Sequence, residues 1–219
     1  DRCKPEYRDA ALEDCLWLGL QWEGAPIDQS PRTKHYLAAF KELRDKGFLF
    51  PCTCTRQDIL EASTAPHSDD GEKIYPGTCR TRTSDLDESK INWRFRVPHG
   101  EKIEFTDAHY GPQTFISGED FGDFPVWQKN GTPSYQLAVV VDDAAMEITE
   151  VVRGADLLTS TARQLLLYRA LDLTPPSFYH CEVMLDESGE RLAKRNDALS
   201  LHSLRNRGET PEELRSKWA

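Results

Sequence analysis

Hydrophobic residues recur at helical spacing in three stretches of the chain. The first covers residues 4–20, with a proline beside its start and Gly19 marking its end, as is common in helices. The second covers residues 30–46 and is followed directly by another glycine. The third covers residues 156–171. The pattern therefore predicts three amphipathic helices.

Other stretches have the patterns of β-strands. Residues 93–97 alternate between apolar and charged side chains, which predicts a half-buried strand. Residues 137–141 form a continuous, valine-rich apolar run, which predicts a buried parallel strand. A further strand is predicted at 148–152. Because strands alternate with helices here, we expect an α/β domain. Short strands, prolines and glycines between residues 52 and 115 predict a small module that interrupts it.

Composition limits the class of protein. The chain has 219 residues, of which 38% are hydrophobic and 29% charged, an ordinary globular balance. Its net charge of -10 argues against a general nucleic-acid coat protein, although a local basic strip on an acidic protein can still bind a tRNA. No apolar run reaches membrane-spanning length and the N-terminus lacks a signal-peptide core, so we expect a cytoplasmic protein without a membrane partner.

Three of the six cysteines are close in sequence: Cys52, Cys54 and Cys79. This grouping is typical of a metal site in a reducing compartment rather than of a secreted disulfide framework. A structural zinc ion takes four tetrahedral ligands, so one ligand is still to be found. His67 and Tyr75 are both candidates from the sequence, and three buried cysteines without a metal are the alternative interpretation.

The residues around these cysteines carry a family resemblance. Cys-Thr-Cys-Thr-Arg followed by Tyr-Pro-Gly-Thr-Cys-Arg resembles the zinc site of glutamyl-Q tRNA(Asp) synthetases, which use three cysteines and a tyrosine. The resemblance implies that Cys52, Cys54, Tyr75 and Cys79 bind one structural zinc ion, and it places His67 second as a ligand.

Two later segments, residues 135–143 and 151–157, resemble the second half of the nucleotide-binding fold of glutamyl-tRNA synthetases. The resemblance implies a class I synthetase catalytic core that is Rossmann-like and split by the zinc-binding insertion. It also implies that Tyr135 and Arg153 bind glutamate, and a guanidinium is the natural partner of a carboxylate. The ordinary alternatives are a core tyrosine and a surface salt bridge. At one position, ordinary glutamyl-tRNA synthetases tend to have asparagine. This chain has Val139 there, and the glutamyl-Q branch also has valine at this position.

A basic segment near the C-terminus resembles the second class I signature, Lys-Met-Ser-Lys-Ser. Lys194 matches the most important lysine of that loop, where its ammonium would bind ATP and stabilise charge on the phosphates. The match is degenerate, because arginine and alanine replace the first lysine and the serine. The loop consists of Arg191, Leu192, Ala193, Lys194 and Arg195.

The same resemblance predicts how the chain is divided. Residues 1–50 are expected to complete the first half of the catalytic domain, 51–118 to form the zinc-binding insertion, 119–180 to form the second half, and 181–219 to hold the signature loop and a helical segment. The first class I signature, His-Ile-Gly-His, would lie before residue 1. An anticodon-binding domain would lie after residue 219, and the glutamyl-Q form is expected to lack it.

The implied function is a tRNA modification. The partners would be L-glutamate, ATP with Mg²⁺ and queuosine-bearing tRNA(Asp), bound by a monomer that activates glutamate and transfers it to queuosine. Two alternatives are a truncated glutamyl-tRNA synthetase that charges tRNA(Glu) and a non-catalytic tRNA-binding protein derived from a synthetase. Six arginines are expected to contact RNA: Arg80, Arg82, Arg94, Arg96, Arg205 and Arg207.

Overall fold

The computed structural model describes residues 4–55, 57–59, 74–81, 91–184 and 200–218. The chain divides into two compact units, one formed by Asp28–Glu182 and the other by Asp1–Ile27 with Val183–Ala219. Among the described residues, no helix combines the length and the apolar character that crossing a bilayer requires.

The unit formed by the two chain ends is helical in its described part. It contains α1 (Pro5–Trp17), α5 (Leu201–Asn206) and α6 (Pro211–Trp218). Helix α1 confirms the first predicted helix, since it starts at the proline and gives way to Gly19, whose φ of 82° is left-handed. The guanidinium of Arg205 lies 3.7 Å from Glu13 of α1.

The larger unit begins with the second predicted helix. Residues Ser30–Arg32 form a single 3₁₀ turn, and α2 follows as Thr33–Asp45. Three side chains spaced three or four residues apart are buried along α2: Tyr36, Phe40 and Leu43. They enter a core made with the other elements of this unit.

A three-stranded antiparallel sheet follows α2. It has the order β1-β2-β5, with β1 at Leu49–Cys52, β2 at Asn92–Phe95 and β5 at Pro125–Trp127. The strand predicted at 93–97 is therefore confirmed with a one-residue earlier start and a shorter end.

A second, mixed sheet has the order β4-β3-β7-β6. Strands β3 (Lys102–Asp107), β7 (Ser177–Cys181) and β6 (Glu150–Gly154) run parallel, and β4 (Gly111–Ile116) pairs antiparallel with β3. The strand predicted at 148–152 exists but lies two residues later. The third predicted helix is a 3₁₀ turn at Ala155–Leu157 followed by α4 (Leu158–Ala170), which connects β6 to β7.

The strand predicted at 137–141 is wrong, because these residues lie in helix α3 (Tyr135–Ala145). Leu137 and Val140 are fully buried, and Val141 and Ala144 pack against the same core, so the buried residues follow helical spacing. An apolar run of five residues fits a strand or a buried helix equally well by its pattern alone. The tertiary core selects the helix.

The sheets also bear on the predicted division of the chain. Strands β3 and β4 lie in the segment 51–118 that was assigned to the insertion, and β3 pairs with β7 from the segment 119–180. The strands of the mixed sheet thus combine the segments 51–118 and 119–180, and the last residue of β7, Cys181, lies in the fourth predicted segment. The division into catalytic halves and an insertion stays a prediction.

Candidate active site and metal centre

The three cysteines predicted to bind zinc lie together. Cys52 ends β1, Cys54 follows it, and Cys79 lies in a turn where Gly77 has a left-handed φ of 79° that favours glycine. All three sulfurs lie within 4.8 Å of one another, and the sulfurs of Cys54 and Cys79 are 3.5 Å apart. Cys52 and Cys79 are buried, which leaves their thiolates few water contacts and suits a structural metal.

Tyr75 supplies a fourth donor atom. Its hydroxyl oxygen lies 3.4 Å from the sulfur of Cys52 and 3.6 Å from that of Cys54. A tetrahedral zinc ion with ordinary bond lengths separates a sulfur from an oxygen ligand by roughly 3.5 Å and two sulfurs by roughly 3.8 Å. The four donor atoms therefore fit a zinc ion. The other candidate ligand, His67, lies outside the described residues.

Without a cation, two of the four donor groups resist ionisation and one ionises more readily than usual. Burial raises the pKa of Cys54 to about 11 and raises the pKa of Tyr75 well above its usual range. Burial also disfavours the thiolate of Cys79, but hydrogen bonds with Tyr75, the backbone of Thr53 and the other cysteines outweigh it and lower the pKa of Cys79 to about 7. A bound cation would compensate the negative charges, so metal binding here must release protons.

Arg94 lies against the same cluster. It is 9% exposed and donates from Nε to the sulfur of Cys52 at 3.3 Å and from Nη1 to the carbonyl of Asp123 at 2.9 Å. Its guanidinium carbon lies 4.1 Å from the centre of the Tyr75 ring. The expectation that Arg94 contacts RNA is therefore wrong, because the side chain is buried against the proposed zinc ligands.

The other arginines expected at RNA differ in their surroundings. Arg80 and Arg96 are half-buried, and Arg96 donates to the carbonyl of Arg80 at 3.0 Å. Arg207 is exposed at the end of α5. Contact of these residues and of Arg205 with RNA stays a prediction, and Arg82 lies outside the described part of the chain.

The first predicted glutamate ligand, Tyr135, is the first residue of α3 and is 51% exposed. Its neighbour Gln136 donates to the hydroxyl of Ser160 at 3.0 Å and accepts from Gln164 at 2.9 Å. These two contacts hold the start of α3 against α4 and leave the tyrosine ring open to solvent.

The second predicted glutamate ligand, Arg153, lies in β6 and is half-buried. Its Nε lies 3.1 Å from Nε2 of His180, and its Nη2 donates to the hydroxyl of Thr161 at 2.6 Å. Its guanidinium carbon is 5.5 Å from the centre of the Phe178 ring. Both predicted ligands thus lie next to α4. Arg153 contacts Thr161 of this helix directly. Tyr135 is adjacent in sequence to Gln136, which contacts Ser160 of the same helix.

Arg153 lies near the carboxyl end of β6, beside the ends of β7 and β3, which run parallel to it. Ligands of open α/β sheets bind at this edge. The sequence did not single out His180 or Asp107, which lie at the same edge and contact each other. No local motif marks them, since they are 73 residues apart.

The predicted signature loop lies in the segment 185–199. Its residues Arg191, Leu192, Ala193, Lys194 and Arg195 all lie outside the described residues, so their roles stay predictions.

Comparison with known proteins identifies the family. The family model described as tRNA synthetases class I (E and Q), catalytic domain, matches residues 1–218. The chain belongs to the class I tRNA synthetases. The prediction of a class I synthetase enzyme with an α/β catalytic core is thereby confirmed.

Two relatives show which members of the family this chain is similar to. A glutamyl-Q tRNA(Asp) synthetase of Nitratidesulfovibrio vulgaris is 41% identical over 95% of this chain and 68% of its own length. A second protein of that name, from Symbiobacterium thermophilum, is 42% identical over 96% of this chain and 69% of its own length. The predicted resemblance to glutamyl-Q tRNA(Asp) synthetases is therefore confirmed.

A solved structure supports the same fold. The crystal structure of a glutamate tRNA ligase from Elizabethkingia meningosepticum, in complex with its amino acid, superposes with a TM-score of 0.70 at 25% identity. The superposition covers 89% of this chain and 43% of that ligase.

Proposed function

We propose that this protein activates L-glutamate with ATP and Mg²⁺ and transfers the glutamyl group to queuosine in the anticodon of tRNA(Asp). The observation that carries the proposal is the identity of about 40%, over most of the chain, to relatives named glutamyl-Q tRNA(Asp) synthetase. The solvent-facing tyrosine and the fixed arginine at the carboxyl edge of the mixed sheet support a small anionic substrate there.

The proposed reaction has two steps. A carboxylate oxygen of glutamate attacks the α-phosphorus of ATP, the bond from this phosphorus to the oxygen that bridges it to the β-phosphate breaks, and pyrophosphate leaves. A hydroxyl of the queuosine cyclopentenediol then attacks the acyl carbon of glutamyl-adenylate, loses its proton, and AMP leaves. Neither step needs a side-chain nucleophile, so the rate comes from positioning and electrostatics.

The proposed roles follow from side-chain chemistry. Arg153 binds a carboxylate of glutamate with its guanidinium fork, and Tyr135 contacts the same amino acid. Lys194 stabilises the charge that develops on the ATP phosphates. Zinc bound by the three cysteines and Tyr75 has a structural role, because four protein ligands leave it no open position for substrate.

The first step is tested by glutamate-dependent ATP–pyrophosphate exchange on the full-length gene product, with and without tRNA. Exchange without tRNA is the expected result. Exchange only in the presence of tRNA(Glu) would instead favour the glutamate tRNA ligase activity that the name of the superposed structure carries. If no exchange is found in any condition, the result would favour the alternative function, a non-catalytic tRNA-binding protein.

The second step is tested by transfer of labelled glutamate to purified tRNA. We expect labelling of tRNA(Asp) that carries queuosine and none of tRNA(Asp) prepared without it. Label on tRNA(Glu) instead would contradict the proposed acceptor.

The role of Lys194 is tested by Lys194→Ala. We expect a large loss of exchange with unchanged zinc content, because the ammonium would act on the phosphates and not on the metal cluster. Equal exchange in the variant and the wild type would remove Lys194 from the mechanism.

A further inference from the structure

A buried, hydrogen-bonded pair of an aspartate and a histidine lies next to Arg153. The side chains of Asp107, at the end of β3, and His180, in β7, are both fully buried. Oδ2 of Asp107 lies 2.6 Å from Nδ1 of His180. An aspartate and a histidine withdrawn from water in this way are costly unless each is fully hydrogen-bonded, so the remaining contacts of the pair decide what it does.

The contacts of Asp107 keep it ionised. Its Oδ1 accepts from the backbone amides of His109 at 3.0 Å, Tyr110 at 2.9 Å and His180 at 3.3 Å. Burial alone would raise the pKa of Asp107, but the hydrogen bonds from His180 and from these amides lower it to about 2. An ionised carboxylate only accepts hydrogen bonds, so Nδ1 of His180 must carry the proton.

The tautomer of His180 then determines what its other nitrogen can do. With the proton on Nδ1, Nε2 of a neutral imidazole is an acceptor. Nε of Arg153 donates to this atom at 3.1 Å. A proton on Nε2 would remove this bond and place two cationic groups in contact, so the geometry requires the neutral ring.

Thr161 completes the arrangement. Its hydroxyl oxygen accepts from Nη2 of Arg153 at 2.6 Å and lies 3.1 Å from Nε2 of His180. His180 and Thr161 thus occupy the side of the guanidinium formed by Nε and Nη2. Among the hydrogen bonds of the described residues, none involves Nη1 of Arg153, so the end of the fork formed by Nη1 and Nη2 is left for a carboxylate.

We propose that Asp107 and His180 are positioning residues for glutamate: the carboxylate of Asp107 sets the tautomer of His180, and Nε2 of His180 orients Arg153 so that the end of its fork faces the substrate carboxylate. The proposal rests on the function proposed above. It assigns a role to two residues that do not themselves touch the substrate. It also accounts for a histidine whose side chain is fully buried at the edge of the sheet where substrate binds.

Two substitutions of His180 separate orientation of Arg153 from simple packing. In His180→Gln, the amide oxygen takes the place of Nε2 and still accepts from Arg153. In His180→Asn, the amide nitrogen takes the place of Nδ1 and still donates to Asp107, but no acceptor reaches Arg153. We expect the asparagine variant to raise the KM for glutamate by roughly 10- to 100-fold, the usual effect of losing a hydrogen bond to a charged group.

The matched readouts are the KM for ATP and the melting temperature. We expect His180→Asn to leave the KM for ATP within about twofold of wild type, and His180→Gln to recover most of the affinity for glutamate. Tyr179→Phe is the control, because Tyr179 is adjacent in β7 and its hydroxyl contacts His109 instead, at 3.0 Å. This control should keep the wild-type KM for glutamate.

Thr161→Val keeps the test decisive if the His180 variants fold poorly. It removes the second acceptor of Arg153, leaves the Asp107–His180 pair in place, and should also raise the KM for glutamate selectively. The proposal is overturned if His180→Asn, or Thr161→Val where the His180 variants do not fold, leaves that KM unchanged, or if His180→Asn raises both KM values equally. A wild-type protein without glutamate-dependent exchange would overturn the proposed function, and this inference with it.

Discussion

The metal cluster and the Arg153 site are built in opposite ways. The proposed zinc ligands come from one short stretch, with Cys52 and Tyr75 separated by 23 positions, and this stretch holds three of the six cysteines of the chain. The Arg153 site joins three parallel strands, and its supporting pair is separated by 73 positions. A site whose ligands lie in one segment can be found in a sequence, whereas a site whose residues lie far apart in sequence needs the sheet pairing.

A buried or half-buried arginine occurs in both sites, but with opposite roles. Arg94 donates to the sulfur of Cys52 and packs on Tyr75, so it supports an anionic ligand set. Arg153 is itself the proposed ligand and is supported by His180 and Thr161. Substitutions at each arginine should therefore affect one site and leave the other unchanged.

The largest expected effect is the loss of a metal ligand. Cys79→Ser should weaken zinc binding by roughly 1,000-fold or more. The free energy of zinc binding at a structural site with four ligands is about 10–16 kcal/mol, and a hydroxyl is a much weaker zinc ligand than a thiolate. Competition with a zinc-binding dye measures it. Cys181→Ser is the control, since that cysteine is exposed in β7, and equal zinc affinity in both variants would exclude Cys79 as a ligand.

The next effect concerns the substrate ligand. Arg153→Ala should raise the KM for glutamate by roughly 100-fold, about 3 kcal/mol, because it removes charge-assisted hydrogen bonds to a carboxylate. Zinc content should not change. Pyrophosphate exchange at varied glutamate concentration measures the effect, and an unchanged KM would remove Arg153 from the glutamate site.

A smaller effect is expected beside the metal. Arg94→Met keeps much of the buried volume but removes the donor to Cys52, so zinc affinity should fall by roughly 10- to 100-fold, as is usual when a residue that supports a ligand is lost. The KM for glutamate should stay at its wild-type value. Arg96→Met is a matched control, because Arg96 packs on Phe50 and donates to the carbonyl of Arg80. A similar loss in both variants would indicate general damage to this region.

The smallest effect is a dependence of stability on pH. The pKa of Asp107 is lowered to about 2 in the folded protein, against about 3.9 in an unfolded chain. The ionised carboxylate therefore contributes about 2 kcal/mol above pH 4, and this contribution is lost as the pH falls towards 2. Urea unfolding of wild type and Asp107→Asn should show a stability difference that shrinks over this range. A stability difference between the two proteins that does not depend on pH would contradict the conclusion that Asp107 is ionised in the folded protein.

The sequence alone was sufficient where the signal is local. Helical periodicity located α1, α2 and α4, with a flanking proline or glycine at the first two, and the cysteine spacing located the cluster now joined by Tyr75. These features depend on neighbours a few residues away, so a single segment contains the whole pattern. The resemblance added Tyr135 and Arg153 as predicted glutamate ligands, because the spacing of residues does not determine which side chains bind the substrate.

Tertiary structure decided the rest. Residues 137–141 are helical because burial of one face of α3 in the core outweighs the strand preference of three valines. Arg94 turns inwards because Cys52, Tyr75 and the carbonyl of Asp123 surround it. Asp107, His180 and Arg153 meet only because β3, β7 and β6 pair in parallel. The order of strands in a sheet depends on the packing of the whole unit, which no single segment of the sequence specifies.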